Sequence, residues 1–120
     1  MTIKYDFEER TTEFAKTIIK MCKTVKYDSV SDQLIKQIVR SAGSIGANYR
    51  EANDALGSKD FLCRLRICRK EAKETFHWLL LIEVACPNLE RELLTIKREN
   101  QELVWILNSM IVKSQQKISR

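Results

Sequence analysis

Turn-forming residues are scarce in this chain. Its 120 residues include one proline and three glycines, too few to punctuate the many short strands of a sandwich or barrel. No segment sustains the apolar–polar alternation of a half-buried strand. There is one histidine, so neither a Ser-His-Asp set nor a di-iron site with Glu-x-x-His on two helices is expected, and no catalytic residue is assigned. No glycine-rich phosphate loop follows a strand. The apolar runs fall short of the roughly 18 residues that a membrane span needs. The opening residues MTIKYDFEER lack the apolar stretch of a signal peptide, and a cytoplasmic location is expected. Cys22, Cys63, Cys68 and Cys86 form no C-x-x-C pair. They are expected as reduced thiols, some of them small core residues, with no metal or other cofactor.

What is present is helical material. Hydrophobic residues make up 44% and charged residues 31%, and the length suits one domain with a core of its own. The chain carries 21 basic against 16 acidic residues, a net charge of +5. That permits an anionic partner such as nucleic acid without demanding one.

The organising stretch is residues 41–53, SAGSIGANYREAN. Ser41, Ala42, Gly43, Ser44, Gly46 and Ala47 are small, and each glycine within a helix costs about 1 kcal/mol against alanine. Small side chains let a neighbouring helix approach closely. Ile35, Ile38, Ala42, Ile45, Tyr49 and Ala52 keep helical spacing through both glycines, which predicts an unbroken helix.

Four helices are predicted, at about 8–23, 32–55, 59–85 and 88–117. Residues 1–7 read as an extended lead-in anchored by Tyr5 and Phe7. Ser29 or Ser31 can cap the second helix. Gly57 suits the left-handed position after it, and Ser58 can cap the third. Cys86-Pro87 stops the third helix, and proline suits the start of the fourth. The apolar run LLLIEVA at the end of the third helix predicts a segment covered on more than one side. Trp105 and Ile106 read as exposed, hinting at a second contact surface. Short connectors make neighbours antiparallel, so the predicted fold is an all-α, up-down-up-down four-helix bundle.

On the third helix, at about 100° per residue from Phe61, Lys59, Arg66, Arg69, Lys70, Lys73 and His77 fall together on one flank, between about 80° and 180°. Asp60, Glu71 and Glu74 fall on the other. The basic flank could neutralise the phosphates of RNA or DNA. It could also meet the acidic flank of a second subunit, or be an ordinary solvated face with local pairs such as Lys70–Glu74. No aromatic residue interleaves the cations, so contact with the backbone rather than with bases is expected. Asn48, Arg50, Glu51, Glu71 and Glu74 are expected as an inter-helix polar network that fixes register.

The sequence resembles the four-helix bundle family of 23S rRNA intervening-sequence proteins, or S23. The matching residues include Phe7-Glu8-Glu9-Arg10-Thr11, Gln37-Ile38-Val39-Arg40-Ser41, Ser44-Ile45-Gly46-Ala47-Asn48, Arg50-Glu51-Ala52, Lys59-Asp60-Phe61 and Lys70-Glu71-Ala72-Lys73-Glu74-Thr75. They run in order through roughly residues 6–115. The family is in turn similar to the accessory variability proteins of diversity-generating retroelements. The resemblance implies a bundle without enzymatic activity that assembles as a homo-oligomer, a pentamer, and binds nucleic acid. It also implies a protein partner such as a reverse transcriptase. The short link Cys86-Pro87-Asn88 departs from the family pattern. The expected function is therefore nucleic-acid binding through the third helix, the alternative being a protein-interaction adaptor with no nucleic-acid role.

Overall fold

A computed structural model describes the backbone of residues 3–119 and the side chains of residues 7–119. Four helices, α1 (Ile3–Cys22), α2 (Ser29–Asn53), α3 (Ser58–Ala85) and α4 (Glu90–Ser119), are joined by short links, the last of them a 3-10 turn at Pro87–Leu89. Each helix packs on the next, and α4 returns to α1 to close the ring; the backbones of the diagonal pairs stay further apart. The result is an antiparallel bundle 51 × 25 × 19 Å in extent. Among the described residues there is no strand.

The helical spacing in the sequence marks the core. Ile38, Ala42, Ile45, Tyr49 and Ala52 of α2 are buried, as are Leu65, Cys68, Ala72, Leu79 and Ile82 of α3. On α4, Leu93, Ile96, Asn100, Leu103, Leu107 and Ile111 follow the same rule. Phe7 meets Tyr49 edge to face, with ring centroids 4.7 Å apart, which ties the start of α1 to α2.

The helix ends differ from the sequence expectations for local reasons. α1 already includes residues 3–7, so the lead-in is helical rather than extended; the side chain of Tyr5 lies outside the described residues. α2 begins at Ser29 because Asp28, not Ser29 or Ser31, is its cap: Asp28 Oδ1 accepts from the N–H groups of Val30 at 3.0 Å and Ser31 at 2.9 Å. Those bonds, with that of the Ser31 hydroxyl, hold the Asp28 carboxyl below its ordinary pKa. Gly57 is extended, at φ 176° and ψ 174°, and precedes α3 without a side-chain cap from Ser58. The left-handed turn expected there is absent because α2 ends earlier, where the Asp54 N–H bonds back to Arg50 and Glu51. The end of α3 is not covered on all sides: Leu80, Leu81 and Val84 are exposed, Val84 to 81%.

The small stretch divides between two faces. Ser41 and Ala42 face α3, where Thr75 donates to the Ser41 hydroxyl at 2.8 Å. One turn on, the Cys68 thiol donates to the Ile45 carbonyl at 3.1 Å. Gly46 faces α1: a Cβ there would stand 3.0 Å from Thr11 Oγ1. Thr11 cannot easily retreat, because its hydroxyl donates to the Glu8 carbonyl at 2.8 Å. Gly43 and Ala47 point outward, and a Cβ on Gly43 would meet nothing within 4 Å. The two glycines should therefore respond oppositely to alanine. Gly43→Ala is expected to raise stability by up to about 1 kcal/mol through helix propensity. Gly46→Ala is expected to lower it by about 1 kcal/mol, overpacking outweighing the same gain. Urea unfolding midpoints of the two variants check this.

Candidate nucleic-acid interface

Every seam of the bundle is crossed by one ion-paired cation. Arg50 of α2 reaches Glu8 of α1 at 3.5 Å. Arg40 of α2 reaches Glu74 at 2.8 Å and Glu71 at 3.4 Å on α3. Lys97 of α4 reaches Glu83 of α3 at 3.1 Å. Arg10 of α1 reaches Glu99 at 2.7 Å and Glu102 at 3.4 Å on α4. Pairs this exposed are worth at most about 1 kcal/mol each, but together they favour one register over its neighbours.

The expected polar network is therefore only partly assembled. Glu71 and Glu74 do join an inter-helix network, but their partner is Arg40 rather than Arg50. Asn48 donates to Ser44 O of its own helix at 2.8 Å, and Glu51 is exposed. Arg50 turns to α1, where it also donates to the Thr12 hydroxyl at 3.1 Å. The register explains the error. With Ser41 facing Thr75, Arg40 falls beside Glu74, while Arg50, about three turns further on, is carried past the carboxylates. The signal was available: Arg40 adjoins the small stretch on the side that meets α3.

This pairing leaves the two flanks of α3 unequal. On the acidic flank, Arg40 holds Glu71 and Glu74, and Asp60 lies 4.0 Å from Arg64. The hydrogen bond from Arg40 is the main cause that lowers the Glu74 pKa, and the charge of Arg40 adds to it. On the basic flank, Lys59, Arg66, Lys70, Lys73 and His77 are all exposed. None of these lysines and arginines is within 4.0 Å of a carboxylate among the described residues, and the local pair Lys70–Glu74 does not form. Arg69 sits apart from them, half-buried, its Nη1 donating to Asn108 Oδ1 of α4 at 2.8 Å. The His77 ring lies edge-on to Trp78 at 5.0 Å. From Lys59 to His77 the row extends about 27 Å at 1.5 Å per residue.

The four cysteines are free thiols, with only Cys63 exposed; it lies at the border of the basic flank, one turn from Lys59 and from Arg66. Burial pushes the Cys68 thiol up to about 12 and the Cys22 thiol up to about 11. Among the described residues, no three His, Cys, Asp or Glu side chains converge to hold a metal ion, and no helix is long and apolar enough to cross a membrane. Ile106, expected to be exposed, is half-buried against the core, whereas Trp105 is 71% exposed.

The fold and its flank define a class: a four-helix bundle with its carboxylates tied across the seams and one helix edge left cationic. Residues 4–109 match the family described as 23S rRNA-intervening sequence protein, and the chain belongs to that family. It is similar to the crystal structure of a protein of unknown function from the S23 ribosomal protein family of Bacteroides thetaiotaomicron VPI-5482. The two are 33% identical, with 92% of this chain and 98% of that one covered, at a TM-score of 0.80. No curated protein matches.

Two outcomes test this geometry. Arg40→Ala is expected to lower stability at pH 7 by less than about 1 kcal/mol, the range of exposed pairs. Because Glu74 has a depressed pKa in the fold, the Arg40 contribution is complete above about pH 5 and disappears as the pH falls below the ordinary glutamate value of about 4.3. Thermal melts of both proteins against pH measure this. In the native protein Cys63 is expected to react rapidly with a disulfide reagent at neutral pH. Cys22, Cys68 and Cys86 should react only on unfolding.

Proposed function

We propose that the protein is a non-enzymatic, homo-oligomeric bundle that holds nucleic acid by its sugar-phosphate backbone along the basic flank of α3. One observation carries this reading: Lys59, Arg66, Lys70 and Lys73 are exposed and unpaired, while the carboxylates of the same helix lie on other faces, engaged by Arg40, Arg64 and Lys97. Cations aligned along a helix edge suit a chain of phosphates, and each phosphate contact releases a counterion. Arg69 keeps its charge but is held in place by its bond to the neutral Asn108 amide, at the half-buried border of the flank.

Assembly with further copies has its own support. Gly43 and Ala47 form an outward small-residue face on α2, and Leu80, Leu81 and Val84 form an exposed apolar end on α3. Five copies follow from the family resemblance. A second reading, an adaptor for another polypeptide such as a reverse transcriptase, is favoured by the exposure of Trp105.

In a low-salt gel shift the wild-type chain is expected to retard RNA or DNA. The triple variant Arg66→Glu, Lys70→Glu, Lys73→Glu should not, while keeping its helicity. With four phosphates engaged, log K should fall against log salt with a slope of about −3 to −4. Undiminished binding by the triple variant would defeat the proposal, and recovery of a protein partner after nuclease treatment would favour the adaptor. Light scattering reads the copy number.

A further inference from the structure

Beside the basic flank, the α3–α4 seam holds a pocket of about 230 Å³ lined by Lys73, Phe76, Asn100, Gln101 and Val104. It lies between two polar crossings of the same seam, Arg69–Asn108 at 2.8 Å and Lys97–Glu83 at 3.1 Å. Asn100 is fully buried; its Nδ2 donates to the Ala72 carbonyl at 3.2 Å, but its Oδ1 has no partner. A buried carbonyl left unpaired is costly and calls for a donor. The pocket is too large to be filled by one water, whose share of liquid volume is about 30 Å³.

Lys73 belongs both to the cationic row and to the pocket wall. A phosphate held at Lys70 and Lys73 would therefore leave its own nucleotide's base within reach of an aromatic side chain, an amide and an unpaired acceptor. We propose that this pocket receives one base of a single-stranded nucleic acid, stacked on Phe76 and hydrogen-bonded to Gln101 and Asn100. This rests on the backbone-binding reading and narrows it. A base inside a duplex is unavailable without being flipped out, so the pocket serves single strands. The free atom is an acceptor, so a base with an exocyclic amine, such as cytosine, fits better than uracil, which presents a carbonyl at the same ring position.

The test uses the full chain with 15-nucleotide oligo(C) and oligo(U) RNA and a 15-base-pair RNA duplex, read by fluorescence anisotropy at low salt. Oligo(C) is expected to bind several-fold more tightly than oligo(U). Val104→Phe, which fills the pocket without replacing a cation, should weaken oligo(C) about tenfold, in the range of one lost base stack, and leave duplex binding unchanged. Gln101→Ala, at an exposed position that tolerates truncation, should weaken oligo(C) in the same direction and decides the matter if the phenylalanine variant does not fold. Equal affinities for oligo(C) and oligo(U), or an oligo(C) affinity unmoved by these variants, would overturn the pocket while leaving the basic flank intact. Absence of binding to all three RNAs would overturn both.

Discussion

The register of α2 against α3 is the constraint from which the rest of the molecule follows. It is set at close quarters, by the Thr75–Ser41 hydroxyl pair and the Cys68 thiol on the Ile45 carbonyl. Small side chains on both helices are what allow such bonds to form across the interface. Slide the two helices by one turn and both bonds are lost, leaving polar groups buried without partners. With the register in place, Arg40 must lie beside Glu71 and Glu74. That contact offsets part of the negative charge on one edge of α3, and the cations of the other edge have no such partner among the described residues. The separation of charge on α3 is thus a product of packing as much as of composition.

Much of this was legible in the sequence because helix periodicity is a strong signal. The four helices, their antiparallel order and nearly all core positions follow from apolar residues at three- and four-residue spacing. Asn100 keeps that spacing among the leucines of α4 and is buried with them. The helix ends were harder, since they depend on single hydrogen bonds: Asp28 competes with Ser29 and Ser31 for the same cap, and only the geometry decides. The identity of ion-pair partners was harder still. Arg50 and Arg40 are both candidates for Glu71 and Glu74 by composition, and a register known only to within a few residues cannot choose between them.

The basic row was read from a helical wheel, which places residues on one helix but says nothing of the neighbour. It therefore grouped Arg69 with the free cations, although Asn108 of α4 holds it. Nor can a wheel show that Phe76 shares a pocket with Lys73 through residues of α4. The apolar end at Leu80, Leu81 and Val84 shows the opposite error: residues that look like core by composition have no cover within the chain. Composition identifies what can be buried; only the topology shows where the chain runs out of partners.

The ring of seam-crossing pairs has a consequence for how the molecule meets a polyanion. Across the four seams the paired cations are matched or outnumbered by carboxylates and leave no spare positive charge, whereas the unpaired row on α3 lies along one side of a rod 51 Å long. That row faces sideways from the rod rather than off its ends. On the proposed reading, the pull of an approaching strand would act as a torque that rolls the bundle until α3 leads. Capture would then be broadside, each encounter beginning with the cationic edge facing its target.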